Sequence, residues 1–150
     1  MLREAGAPPV CPLGKASTER YSRQLLVPDV GVEGHTRIGA CSVLVVGAGG
    51  LGSPCALYLA GAGVGKIGLM DGDVVEESNL HRQVMHTEAR VGEKKAVSGA
   101  AACKALNSMV SIEVHEEFLR VGEKKAVSGA AACKALNSMV SIEVHAEFLR

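Results

Sequence analysis

The stretch VLVVGAGGLG, residues 43–52, predicts the fold class of this chain. An apolar run from Val43 to Val46 ends abruptly, and glycines follow at Gly47, Gly49, Gly50 and Gly52. Small residues directly after a buried strand let the backbone approach a phosphate at the N-terminus of the next helix, as in the G-x-G-x-x-G pattern. Nicotinamide, flavin and adenine nucleotides share this pattern, so the turn indicates a nucleotide without choosing among them.

Hydrophobic patterns on both sides of the turn predict the order β-α-β-α-β. The predicted strands cover residues 41–47, 66–71 and 111–115, the predicted crossover helices cover 50–62 and 92–107, and two short helices, 19–26 and 32–40, precede them. We therefore expect an α/β fold, namely the nucleotide-binding half of a Rossmann-like sheet with right-handed crossovers. The apolar side chains expected to pack are Ala56, Leu57, Leu59 and Ala60 in the first crossover helix, and Ala96, Val97, Ala100, Cys103 and Leu106 in the second.

Composition limits the kind of protein. The 150 residues suffice for one compact domain, and the formal net charge of zero gives no reason to expect a nucleic-acid or membrane partner. Residues 1–18 have no apolar block of the signal-peptide kind and are expected to form a disordered leader. No stretch approaches the roughly 20 apolar residues of a membrane span. We therefore expect a soluble, cytoplasmic protein.

The cysteines stand at Cys11, Cys41, Cys55, Cys103 and Cys133, and none forms a C-x-x-C pair. An odd count with scattered spacing argues against a disulfide framework and against a closed zinc site. Cys41 and Cys55 flank the glycine turn and are predicted to be core residues. Cys103 is predicted to lie on the core face of its helix.

The second half of the chain contains a repeat. Residues 91–120 return as residues 121–150 with one change, Glu116 against Ala146. Solenoid repeats diverge and usually need at least three units to bury a continuous core. A recent tandem duplication or an error in the gene model is therefore the favoured interpretation, in which one copy packs in the domain and the other is surplus.

Asp71 is the acidic last residue of the second predicted strand, 19 residues after Gly52. A carboxylate at this position, facing a glycine turn, can accept hydrogen bonds from both ribose hydroxyls of an adenosine. The simpler alternative is an aspartate that merely ends a strand. The turn upstream favours ribose binding.

Beyond these local patterns, three linked motifs resemble the adenylating domain of the ubiquitin-activating superfamily: GAGGLG, GVGKIGLMDGDVVEESNLHRQ and VGEKKA. The segment RYSRQLLVPDVGVEG, 20–34, resembles more narrowly the animal adenylyltransferase and sulfurtransferase branch, which acts in molybdenum cofactor synthesis and tRNA thiolation. The resemblance covers about residues 19–120. It implies an ATP- and magnesium-dependent enzyme that adenylates the C-terminal glycine of a ubiquitin-like sulfur-carrier protein and works as a homodimer.

The resemblance also assigns residues. It implies that Arg82 and Lys95 contact the phosphates, that Asp71 binds the ribose, and that Arg23 enters the site of the partner subunit. The remaining nucleotide contacts that it implies are those of the glycine turn and the loop residues Ser78, Asn79, Leu80 and His81. Lys125, in the repeated copy, is the other candidate lysine, but Lys95 has the family's spacing from Arg82. For Arg82, Lys95 and Arg23, the alternative is a solvated surface charge.

His81 and His86 lie close enough in sequence to suggest a metal pair. No third ligand stands at a suitable spacing, so solvent-facing imidazoles are the favoured interpretation and no protein metal site is predicted.

Against the family pattern, the repeat replaces what should follow residue 120. We expect the chain to lack the family's magnesium-binding aspartate, its zinc-binding C-x-x-C pairs and its rhodanese domain, and therefore to be weakly active or inactive. Two alternatives to the adenylating enzyme stay open. One is a non-catalytic dimer partner that lends Arg23 to an intact subunit, and the other is an NAD-dependent oxidoreductase.

Overall fold

The structure, a computed structural model, describes residues 13–118. Most of the predicted leader, Cys11, Cys133 and the second repeat copy, 121–150, lie outside these residues. The chain divides into two compact units, Met1–Arg37 and Ile38–Arg150, which are described separately below.

The first unit is helical. Helices α1, Lys15–Arg20, and α2, Ser22–Leu25, replace the single predicted helix 19–26, and α3, Gly31–Ala40, matches the prediction for 32–40. The interruption falls at Tyr21, a buried residue whose ring centroid lies 4.2 Å from that of His35. The Gln24 side-chain amide donates to His35 Nδ1 at 3.1 Å. Packing of Tyr21 and Gln24 against His35 therefore determines this local structure.

The second unit contains the predicted sheet. Strands β1, Ser42–Val46, β2, Lys66–Met70, and β3, Ser111–His115, are parallel and pair in the order β1-β2-β3, with crossover helices α4, Gly52–Ala62, and α5, Lys95–Leu106. Two 3₁₀ helices, Glu77–Asn79 and Glu88–Arg90, lie in the connection between β2 and α5. The α/β prediction is confirmed. Because all three strands run in one direction, their carboxyl ends meet at one edge of the sheet, where ligands bind in such folds.

The core of this unit lies between β2 and the two crossover helices. Its fully buried residues include Ile67 and Leu69 of β2, Ala56 and Ala60 of α4, and Ala96 and Cys103 of α5. Small residues on both helices allow close packing. A Cβ atom on Gly99 of α5 would lie 2.6 Å from Met85 Sδ, which is shorter than real contacts allow.

The prediction for the packing face of α5 is partly wrong. Ala96 and Cys103 are buried, but Val97 and Leu106 are exposed. Ala100 is half-buried and packs against the core, and the buried residues also include Lys95, Ser98 and Gly99, which were not predicted. The helix turns its small residues inward because Met85 and Leu69 leave little space beside Gly99. On α4, the prediction holds: Ala56 and Ala60 are fully buried, and Leu57 and Leu59 are half-buried and pack against the same core.

The cysteine prediction holds for one residue of three. Cys103 is fully buried, and burial raises the pKa of its thiol. Cys41 and Cys55 are exposed, so their placement in the core was wrong. Cys55 lies on the outer face of α4 because positions three and four residues apart share a helix face, and its neighbours there, Leu51 and Tyr58, are 90% and 80% exposed. Within residues 13–118, no helix is long and apolar enough to cross a bilayer.

Candidate functional site

The glycine turn between β1 and α4 is a tight backbone structure. Gly47 has a φ of +89°, which side-chain-bearing residues rarely adopt, and its N–H donates to the Met70 carbonyl at 2.7 Å. A Cβ atom on Gly52 would overlap the carbonyl oxygen of Gly47. Glycine at these two positions therefore lets α4 start directly against the end of β1.

Asp71 holds this turn in place. Its Oδ2 atom accepts a 2.7 Å hydrogen bond from the Ala48 N–H, and its Oδ1 atom accepts one of 2.8 Å from the Asp73 N–H. The residue is only 7% exposed. Asp71 thus joins the end of β2 to the turn after β1. Its predicted contact with a ribose stays a prediction.

His86 contacts the carbonyl of the same residue, Ala48. Its Nε2 atom lies 2.9 Å from the Ala48 carbonyl oxygen, and its Nδ1 atom lies 2.8 Å from Ser98 Oγ. A carbonyl can only accept, so Nε2 carries the proton and donates. Burial lowers the pKa of His86, and the nearby Lys95 charge acts in the same direction. The prediction of a solvent-facing ring is therefore wrong for His86, which is 5% exposed, while His81 is exposed.

The loop that carries the SNLHR motif is held by its own hydrogen bonds. Buried Asn79 accepts from the Glu76 N–H through Oδ1 at 3.1 Å, and Ser78 Oγ donates to Glu76 Oε2 at the same distance. Leu80 is half-buried. The Asn79 side chain thus has a structural role in this loop.

Two consecutive side chains from this loop cover two consecutive glycines. Arg82 Cγ and Cδ lie 3.7 Å from the position that a Cβ would take on Gly50. Gln83 Nε2 lies 3.9 Å from the equivalent position on Gly49. Arg82 itself is exposed, and its Nη1 donates to the Ser78 carbonyl and to His81 Nε2, both at 3.1 Å. The loop after β2 therefore reaches back over the glycine turn.

Lys95 is a buried cation. Only 7% of the residue is exposed, and its Nζ atom lies 3.0 Å from Asp73 Oδ2. Its backbone N–H donates to the Asp73 carbonyl at 2.9 Å. Lys95 is therefore not a solvated surface charge. Arg82 is exposed, so its position is compatible both with phosphate binding and with a solvated surface charge. Asp73, which is half-exposed, balances the lysine charge.

A cavity of about 290 Å³ brings the charged residues together. Its lining residues are Asp73, Val74, Glu76, Asn79, Arg82, Gln83 and Lys95. Three predicted site residues, Asn79, Arg82 and Lys95, thus share one cavity. The four glycines and Asp71 lie beside the cavity rather than on its wall, and Ser78, Leu80 and His81 do not line it either.

Sequence reasoning missed Gln83 as a site residue. It is 4% exposed, and its Oε1 atom is buried without a hydrogen-bond partner in the described part of the chain. The only available signal was a polar residue directly after Arg82 in the SNLHRQ motif. Nothing in its spacing predicts that it would be buried.

Two carboxylates on the cavity are candidates for holding magnesium. The carboxylates on the cavity are Asp73, which is paired with Lys95, and Glu76, which accepts from Ser78. Across residues 13–118, no group of three His, Cys, Asp or Glu side chains is close enough to hold a metal ion. Magnesium is commonly bound by one or two carboxylates together with waters and substrate phosphates, so the magnesium requirement stays a prediction.

Arg23 lies in the first unit, on α2, and its side chain is exposed. Its predicted role requires a second subunit. It stays a prediction, as does the homodimer.

Comparison with known proteins identifies the family to which these motifs belong. The ThiF family matches residues 21–121 of the chain. Similar curated proteins are the adenylyltransferase and sulfurtransferase MOCS3 of Mus musculus, 59% identical over 106 residues, and uba4 of Pyricularia oryzae, 55% identical over 108 residues. These alignments cover 69% and 72% of this chain but only 23% and 22% of the two relatives. The chain therefore spans less than a quarter of their length.

Among solved structures, E. coli MccB with ATP has a similar fold, with a TM-score of 0.64 and 29% identity. The similarity covers 72% of this chain and 34% of MccB.

Proposed function

Because the chain belongs to the ThiF family, we propose that it forms the nucleotide-binding part of an ATP-dependent adenylyltransferase. Its substrate is the C-terminal glycine of a ubiquitin-like sulfur-carrier protein. The proposed biological roles are molybdenum cofactor synthesis and tRNA thiolation, in the cytoplasm. The names of the mouse and fungal relatives, adenylyltransferase and sulfurtransferase, support the adenylyltransferase part of the proposal.

One observation carries this proposal: Arg82 and Lys95 share a cavity next to a glycine turn. In adenylation, a carboxylate oxygen of the carrier attacks the α-phosphorus of ATP. A new oxygen–phosphorus bond forms, the bond to the β-phosphate oxygen breaks, and pyrophosphate leaves with the electron pair. Negative charge moves toward the leaving group, so fixed cations lower the barrier.

The two cations are proposed to act differently on the phosphates. Lys95 is buried and held by Asp73, so it provides a positive charge of fixed position. Arg82 is exposed and lies across Gly50, so its guanidinium can follow the phosphate chain. Water exclusion around Lys95 strengthens its interaction with a phosphate.

Asp71 is proposed to bind the ribose. Each of its oxygens already accepts one backbone N–H, and a carboxylate oxygen has a second lone pair for a hydroxyl. Arg23 is proposed to complete the site of a second copy of the chain in a homodimer. This part of the proposal rests on the RYSRQ motif alone.

The test is competition binding to the 150-residue chain with ATP and NAD. Saturable ATP binding that NAD does not displace at equal concentration is expected, because two cations on one cavity suit a triphosphate better than a dinucleotide. Preferential NAD binding would reverse the proposal in favour of an oxidoreductase domain. ATP–pyrophosphate exchange with a carrier that ends in Gly-Gly is measured separately, and the weak or absent activity expected of this chain predicts little or no exchange.

A further inference from the structure

We infer that the two copies of the repeat compete for one position in the fold: residues 121–150 exchange with residues 91–120 for the place of α5 and β3 within one chain. The exchange concerns how the chain folds and does not depend on the proposed function. The contacts of the first copy, which the structure describes as far as residue 118, define what a segment needs in order to fill this position.

Polar contacts hold the first copy in place. Lys95 Nζ lies 3.0 Å from Asp73 Oδ2, and the Asn107 side-chain amide donates to the Ala60 carbonyl at 2.8 Å. Both Lys95 and Asn107 are buried, so a segment without these side chains would leave their partners unpaired. The second copy has the same residue types at the equivalent places, Lys125 and Asn137. It can therefore make the same polar contacts.

The position also selects for shape. Gly92 has a φ of +90°, and a Cβ atom on Gly99 would lie 2.6 Å from Met85 Sδ. Cys103 is fully buried in the core. A segment that fills the position therefore needs glycines at the first two points and a small side chain at the third. The second copy meets these requirements with Gly122, Gly129 and Cys133.

The difference between the copies lies away from these contacts. Glu116, which is replaced by Ala146 in the second copy, is exposed. Arg90, which pairs with Glu93 at 3.1 Å, has a counterpart in Arg120, the residue directly before the second copy. The side-chain contacts described for the first copy therefore do not favour it over the second.

The connection to the rest of the chain does distinguish the copies. The first copy follows Arg90 directly, whereas placing the second copy in the position leaves all of residues 91–120 as a loop between Arg90 and Val121. Closing a flexible loop of about 30 residues lowers the population of that state roughly a hundredfold, because closure entropy grows with the logarithm of loop length. The first copy therefore fills the position in the unmodified chain, and the second fills it when the first is impaired.

The experiment impairs one copy at a time in the full chain, with Cys103 and Cys133 kept and the other cysteines replaced by serine. Gly99→Glu adds a buried charge at a place where even a Cβ atom is too close to Met85, so its cost should exceed that of the exchange. Gly129→Glu is the matched control, because it is the same substitution in the second copy. A double variant impairs both copies.

The rate at which a thiol reagent modifies each cysteine is measured, together with the thermal midpoint. Cleavage at methionine separates the two thiols into residues 86–109 and 110–139. In Gly99→Glu, protection should pass from one thiol to the other: Cys133 should react about tenfold more slowly or less, and Cys103 about tenfold faster or more, than in the unmodified chain. A thermal transition should remain, at a lower midpoint.

Gly129→Glu should leave both rates unchanged, and the double variant should expose both thiols. The inference is overturned if Gly99→Glu exposes both thiols as the double variant does, or if Cys103 stays protected in Gly99→Glu. Protection of Cys133 that appears only as the protein concentration rises would show that the second copy enters a neighbouring chain, and this result would also overturn exchange within one chain.

Discussion

The Asp71 carboxylate and the Ala48 N–H form a 2.7 Å hydrogen bond that joins the end of β2 to the turn after β1. The sequence predicts Asp71 as a ribose-binding residue, and its hydrogen bond to Ala48 also stabilises the fold. Because the oxygens that accept these backbone N–H groups are also the ones proposed to bind the ribose, changes at Asp71 should alter stability and binding together.

We therefore predict that Asp71→Asn lowers both quantities. An asparagine offers one acceptor oxygen, so either the Ala48 or the Asp73 N–H is left facing an NH₂ group. The free energy of unfolding should fall by about 1–3 kcal/mol, and ATP affinity by about tenfold. Urea unfolding and ATP titration measure the two effects. A loss of affinity with full stability would show that Asp71 acts on the ligand alone.

His86 should make stability depend on pH. Its pKa in the folded chain is below the ordinary value of 6.5, chiefly because of burial, and the charges of Lys95 and Arg90 also lower it. The hydrogen bond to the Ala48 carbonyl and the charge of Asp71 raise the pKa but do not offset this. The unfolded chain therefore binds a proton first. The stabilising contribution is fully present above about pH 6.5 and is lost as the pH falls toward the folded-state pKa.

The measurement is the free energy of unfolding at several values between pH 5 and pH 7.5. His86→Gln should flatten the decline in this range, while His81→Gln, at an exposed position, should leave it intact. Identical pH profiles for the unmodified chain and His86→Gln would contradict the assignment.

Lys95 and Asp73 should affect anion binding in opposite directions. Lys95→Met removes the buried charge and should weaken tripolyphosphate binding about tenfold or more. Asp73→Asn removes a negative charge from the cavity and should strengthen it. Lys94→Met is the matched control, because Lys94 is adjacent in sequence but its Nζ donates to the Gly72 carbonyl rather than lining the cavity. Weaker binding by Asp73→Asn would indicate that Asp73 recruits a cation for the anion.

Each copy of the repeat contains one cysteine, and the reactivity of its thiol reports whether that copy is packed. Cys103 is fully buried in α5, and the same residue recurs as Cys133 in the second copy. Since α5 and β3 are formed by the first copy, a thiol reagent should modify Cys133 quickly and Cys103 slowly. The experiment uses a chain in which Cys11, Cys41 and Cys55 are replaced by serine, with mass spectrometry of the two peptides.

The peptides that differ at 116 and 146 distinguish the copies. Equal protection of both thiols would show that the second copy packs as well as the first.

The sheet could be predicted because its signals are local. An apolar run that ends at glycines identified β1, and the run KIGLMD with its acidic end identified β2. The alternation in SIEVH identified β3 with its bounds as observed. The helix faces were harder, since α5 buries Ser98 and Gly99 against Met85, a residue from a loop with no regular pattern.

The two cations of the candidate site were predicted from the sequence, but the residues that contact the glycine turn were not. Arg82 and Lys95 do share a cavity, as the motif order implied. The roles of His86 and Gln83 depend on contacts with Ala48 and Gly49, far away in sequence. No spacing rule describes such contacts, because the path of the loop after β2 determines them.

Gly52 and Leu51 should differ sharply in the number of substitutions that they tolerate. Any side chain at Gly52 would collide with the Gly47 carbonyl, so nearly every codon change there should be purged by selection. Leu51, its immediate neighbour, is 90% exposed and has room for many replacements. A mutational scan of the turn should therefore find its least and most tolerant positions side by side, and descendants of this chain should drift at residue 51 while residue 52 stays as it is.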